Sequence, residues 1–189
     1  IGDKVTALVG ADTDGSALFT TACVYGGPGN LLDDCANVNA GITGGTTALG
    51  ASYDFGSGFT AAVGAQTGDA SVFTEESADA YALNAAYTAD NYAISLTYGV
   101  VEALDANDAL TDEEDKFTAI NAYYTPDSEG LPSISVGYEF GDIGGAAAGA
   151  DEQASFMVGL TWDEVGPGSA GVAVGPVSYT HLTLPTSTH

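Results

Sequence analysis

The chain has 189 residues, with 26 Asp plus Glu against two lysines and no arginine, for a formal charge of −24. Without a cationic surface to meet phosphates, nucleic acid is excluded as a partner. Apolar residues make up 45 %, yet no run approaches the roughly eighteen needed for a transmembrane helix.

Glycine is abundant at 26, with 10 Tyr and 7 Phe, a mixture that suits short strands and tight turns better than helices. A disordered acidic tail does not account for the charge, because the acids are punctuated by regular apolar alternation. Salt adaptation of an exposed surface is the competing explanation. The chain opens on Ile1 without an initiator Met or a leader, and reads as a fragment of a longer precursor.

In chain order, KVTALVG (residues 4–10) reads as a strand and SALFTTACVY (16–25) as a candidate second. Cys23 and Cys35 flank the loop-like VYGGPGNLLDD. Two cysteines in an exported chain commonly pair, which predicts a disulfide pinning an external loop; two unpaired thiols are the alternative. Leu49, Ala51, Tyr53 and Phe55 then alternate with Gly50, Ser52 and Asp54. After the GSG turn (56–58), Phe59, Ala61, Val63 and Ala65 alternate with Thr60, Ala62, Gly64 and Gln66. Tyr81, Leu83, Ala85 and Tyr87 oppose Ala82, Asn84, Ala86 and Thr88. Tyr92, Ile94, Leu96 and Tyr98 oppose Ala93, Ser95, Thr97 and Gly99. A period of two identifies each stretch as a strand. Residues 116–125 form a less regular one. Beyond PDSEGLP (126–132), Ile134, Val136, Tyr138 and Phe140 alternate with Ser, Gly and Glu, as do Phe156, Val158, Leu160 and Trp162 with Ser, Met, Gly and Thr. GPG (166–168) leads into Val172 and Val174.

The connections alternate between short (56–58, 89–91, 126–131, 166–168) and long (67–79, 102–115, 141–153). Tight turns therefore gather at one end of the strands and long loops at the other, as in an up-and-down barrel and not in a Greek-key sandwich. The two faces also differ: one carries large apolar side chains, the other Gly, Ala, Ser and Thr with few charges. An outer-membrane barrel presents its large apolar side chains to lipid and lines a lumen with the other face. The expected fold is thus an all-β, antiparallel, up-and-down transmembrane β-barrel, of which this chain supplies about 8–10 strands. Tyr81, Tyr87, Tyr92, Tyr98 and Trp162 are candidates for an aromatic girdle at the membrane interfaces.

Catalytic constellations are lacking. Both histidines, His181 and His189, fall in a terminal stretch that stands apart from the rest, so there is no Ser–His–Asp, Cys–His or Cys/His zinc arrangement. Carboxylate pairs lie in predicted loops with nothing to perturb one of them selectively. The chain is expected not to be an enzyme and to need no cofactor. The most acidic predicted loop holds Asp105, Asp108, Asp112, Glu113, Glu114 and Asp115 as well as Glu102. It lacks the fixed spacing and glycine of an EF-hand, so it is read as a solvated, cation-attracting loop, with calcium or magnesium bridging as the alternative. Four, seven and three acids in the three long loops would make a negative vestibule.

NAYYTPDSEGLPSISVGYEF and SFMVGLTWDEVGPGSAGVAVG resemble the C-terminal part of cyanobacterial outer-membrane porins. That family is grouped with the carbohydrate-selective OprB-type porins and with iron or inorganic-ion uptake porins. The resemblance spans residues 42–176 and is most distinctive at Trp162, Asp163, Glu164 and the following GVAVG. It implies a larger, homotrimeric barrel in the outer membrane of a Gram-negative cell, passing small hydrophilic solutes such as inorganic cations and sugars, with membrane lipid as its surroundings. A secreted acidic β-rich surface or adhesion protein with calcium-binding loops is the alternative, and a general porin of another Gram-negative lineage a third reading. PVSYTHLTLPTSTH (176–189) resembles a translated sequencing-library adapter, most specifically across 177–186. Residues 1–176 are therefore taken as the barrel portion and 177–189 as non-native.

Overall fold

A computed structural model describes residues 3–13, 15–23, 46–67, 79–104, 110–144 and 152–175. Cys35, Asp105, Asp108 and the terminal stretch 177–189 lie outside the described residues. Nine strands follow one another: β1 (Val5–Thr13), β2 (Thr46–Gly56), β3 (Phe59–Thr67), β4 (Ala80–Thr88), β5 (Tyr92–Leu104), β6 (Leu110–Tyr124), β7 (Ser133–Asp142), β8 (Glu152–Val165) and β9 (Gly168–Val174). They form a single antiparallel sheet in sequential order, β1 through β9. Among the described residues there is no helix, and β1 does not pair with β9, so the sheet is open. The all-β up-and-down arrangement is therefore present, and among the described residues the sheet does not close into a barrel.

Two of the tight turns have a clear local cause. Ser57 and Gly58 join β2 to β3 with φ of 54° and 86°, the double positive φ of the hairpin turn whose twist matches the flanking strands. The Asp54 carboxylate accepts a hydrogen bond from the Gly56 amide at 2.7 Å and steadies the turn. Gly58 is required twice over: its φ of 86° disfavours a side chain, and a Cβ there would collide with the Thr88 carbonyl oxygen, drawn close because the Gly58 carbonyl accepts from the Thr88 amide at 2.9 Å. Gly166, at φ 63°, opens the two-residue turn between β8 and β9, where proline follows it.

Register converts the sequence alternation into two chemically different faces. One face is small and covered: Ala48, Ala62, Ala82, Asn84, Ala86, Ala93, Ser95, Thr97, Ala119, Asn121 and Ser135 are all buried. The other is large and uncovered: Leu83 is 53 % exposed, Leu96 47 %, Ile120 44 % and Val136 43 %. β6 departs from this pattern because two aromatic residues, Phe117 and Tyr123, share the small face. Phe117 is flanked by Gly99 and Gly141, and a Cβ on Gly141 would meet its ring at 3.1 Å, so the glycines make the room that it occupies.

Two sequence expectations are corrected. Residues 16–23 of SALFTTACVY are not a strand; they turn and cross the small face of the sheet. The loop expected over 102–115 is shorter, because β5 runs to Leu104 and β6 begins at Leu110. Asp112, Glu113, Glu114 and Asp115 thus stand on strand β6, not in a loop. The apolar run through Val100 and Val101 continues the ladder, and the Thr111 hydroxyl donates to the Ala103 carbonyl at 2.9 Å where the pairing ends.

Candidate functional site: the covered small-residue face

Residues 15–23, here called the strap, read GSALFTTAC and carry no charge. Ser16 and Phe19 close a turn through the Phe19 amide and the Ser16 carbonyl at 2.8 Å. From there the strap crosses β3, β4 and β5. The Gln66 side-chain oxygen accepts from the Gly15 amide at 3.2 Å. Asn84 Oδ1 accepts from the Thr20 amide at 3.1 Å, and Asn84 Nδ2 donates back to the Thr20 carbonyl at 3.2 Å. The Ser95 hydroxyl accepts from the Ala22 amide at 3.1 Å, and the Thr60 hydroxyl donates to that of Thr20 at 3.4 Å.

Small wall residues leave space for these contacts. Leu18 lies over Gly50, where a Cβ would sit 3.5 Å from its Cδ1. Phe19 packs against Ala80 and Ala82. Register locates the crossing. Gln66 is opposite Ala80 near the end of the strands with the long connections, Asn84 is four residues further along β4, and Ser95 is opposite Ala86. At about 3.3 Å per residue the strap descends some 20 Å along the wall. Cys23, at its end, is disulfide-bonded, while Cys35 is not among the described residues.

The face is lined by amides, hydroxyls and methyl groups. Glu139 shares the row of Asn84, reached through Thr97 and Ala119, and is half-buried there. Other described acids stand at both ends: Asp79, Glu102, Asp112, Glu113, Glu114, Asp115, Asp142 and Glu152 towards the long connections, and Asp54, Asp90, Asp127, Glu129, Asp163 and Glu164 towards the tight turns. Glu102 stands opposite Glu114, a like-charge cross-strand pair, and Lys116 reaches Glu114 at 3.4 Å. Asp115 accepts from the Gly144 amide at 2.8 Å. No group of three metal-ligating side chains occurs among the described residues.

The five girdle candidates fall into two bands. Phe59, Tyr87 and Tyr92 stack at the tight-turn end, with ring centroids 4.5 and 5.7 Å apart, and Tyr124 is paired with Tyr92. Trp162 is two residues beyond Leu160, which shares the row of Tyr92, Tyr124 and Ile134, so it belongs to that band. Tyr81 and Tyr98 lie towards the other end, Tyr98 in one row with Phe140. The outward row between the bands holds Leu96 and Ile120 together with Tyr53, Tyr138 and Phe156, while Val63 and Leu83 share the row of Tyr98, and Ile94, Val136 and Val158 that of Tyr87.

Sequence reasoning missed the strap and its anchors. The available signal was Gln66 and Asn84 at positions whose neighbours on the same face are alanine and glycine, next to a segment, 16–25, that breaks strict alternation. The chain matches no known family model, and no curated protein is similar to it.

Proposed function

We propose that this chain forms part of the wall of an outer-membrane porin, in which small hydrophilic solutes diffuse passively along the small-residue face while the large apolar face meets lipid. The observation that carries this reading is the inverted burial of the sheet. Leaving a Leu, Ile or Phe in water forfeits about 1.5–3 kcal/mol each, and alanines and serines on the covered face return little of it. In hydrocarbon the same outward face is at home, and its backbone is satisfied by the ladder.

Strand lengths support the reading. β1, β2, β3, β4 and β7 have 9, 11, 9, 9 and 10 residues. A tilted strand needs about 9–11 residues to cross a bilayer. Successive outward rows of large apolar side chains, with tyrosines towards both ends of the strands, are compatible with a wall that crosses a bilayer with two interfaces. In hydrocarbon the open edges at β1 and β9 have to be covered, by further strands or by each other. The resemblance to cyanobacterial porins points the same way and suggests a homotrimer in the outer membrane. The adhesion-protein reading needs a second layer over the large face, and no described residue forms one.

The permeant class follows from charge. An acidic rim together with Glu139 on the wall favours inorganic cations over anions, and neutral sugars are compatible with the amide- and hydroxyl-lined surface. The test is conductance of the full-length protein that carries this sequence, reconstituted in a planar bilayer under a potassium chloride gradient. Discrete channels whose reversal potential favours potassium are expected; no channels, or preference for chloride, overturns the proposal.

A further inference from the structure

We infer that Asn84 is the clamp that seats the strap across the small-residue face, and so sets the width of the passage beside it. The second half rests on the porin reading; the first does not. Asn84 is buried among alanines, Ala80, Ala82 and Ala86, that fill the same face of β4 with methyl groups. An amide at such a site costs free energy unless its donors and its acceptor are all used.

They are used on the strap. The Asn84 side chain engages both polar groups of Thr20, accepting from its amide and donating to its carbonyl, as a neighbouring strand would. Its orientation is set from the wall, where Nδ2 also donates to the Thr97 hydroxyl at 2.8 Å and lies 3.5 Å from the Leu96 carbonyl. Reversing the amide would turn Oδ1 towards that carbonyl oxygen and Nδ2 towards the Thr20 amide. Gln66 and Ser95 also hold the strap, at Gly15 and Ala22, and Asn84 supplies a paired hold at its middle. The strap has no charge to anchor it, and Leu18 and Phe19 precede the clamped residue.

The experiment compares wild type with Asn84→Ala, which matches the surrounding alanines, and Asn84→Ser as a second variant should the first fail to fold. The full-length protein in detergent micelles is followed by amide hydrogen exchange, and in bilayers by single-channel conductance. In the variants the Thr20 amide is expected to exchange about tenfold faster, the loss that removing a hydrogen bond of ordinary strength produces. The Thr97 ladder amide stays protected, and conductance rises. Unchanged Thr20 exchange overturns the clamp. Faster exchange with unchanged conductance overturns the role of the strap in setting the passage and leaves the porin reading intact. A wild type that passes no current overturns the porin reading, and the exchange measurement then decides the clamp alone.

Discussion

Leu96 shows what a single position contributes to the account. It projects from the middle of β5, in a row with Ile120 and Tyr138, with nearly half its surface uncovered. An arginine there would be harmless in water, where surface substitutions usually stay within about 0.5 kcal/mol. Near a bilayer midplane it costs about 2–4 kcal/mol. Leu96→Arg is therefore expected to lower the unfolding free energy of the protein in lipid vesicles by that amount, read from a lowered denaturant midpoint, and an unshifted midpoint would count against lipid contact. Glu139 tests the opposite face. Glu139→Gln should reduce the potassium-over-chloride preference in reversal-potential measurements, since this carboxylate stands in the same row as Asn84. Residues of this kind were partly legible. The alternation separated Leu96 from Thr97 at once, but the role of Asn84 depends on a segment more than sixty residues away, which periodicity does not report.

At the scale of the element, turns and strands were the easiest features to read. GSG, with its glycines, predicted the hairpin between β2 and β3, and the coordinates supply the reason in the positive φ of Ser57 and Gly58. Gly58 and Gly130 make a matched pair. Both have φ above 80°, but a Cβ on Gly130 meets nothing within 4 Å while one on Gly58 collides with the Thr88 carbonyl. Gly130→Ala should cost about 1–2 kcal/mol, the strain of the left-handed backbone alone. Gly58→Ala should cost clearly more, and equal shifts in thermal unfolding would contradict the packing described. The boundaries read least well from sequence were those of the hairpin β5–β6. A run of acids resembles a solvated loop by composition, yet cross-strand pairing carries Glu102, Glu114 and Asp115 as strand residues. Pairing between distant segments decides such boundaries, and composition has no access to it. The same limit explains residues 16–23: their apolar content suggests a strand, but they have room to cross the sheet only because Gly50, Ala80 and Ala82 are small.

At the scale of the whole molecule, the arrangement is a wall with an oily side and a lined side, and acids at both ends of its strands. A charge distribution of that kind makes selectivity depend on ionic strength. Raising potassium chloride from 0.1 to 1 M shortens the screening length from about 10 to about 3 Å. The cation preference should shrink accordingly, and reversal potentials that do not move with salt would show that the rim acids take no part. The most direct test of the central claim is a spin-label scan of β5, residues 93–98, in lipid vesicles, by power saturation against oxygen and a water-soluble nickel chelate. Oxygen accessibility is expected to peak at 94, 96 and 98 and to fall to minima at 93, 95 and 97. Nickel accessibility peaking at 94, 96 and 98 would mean that water, and not lipid, covers the large apolar side chains.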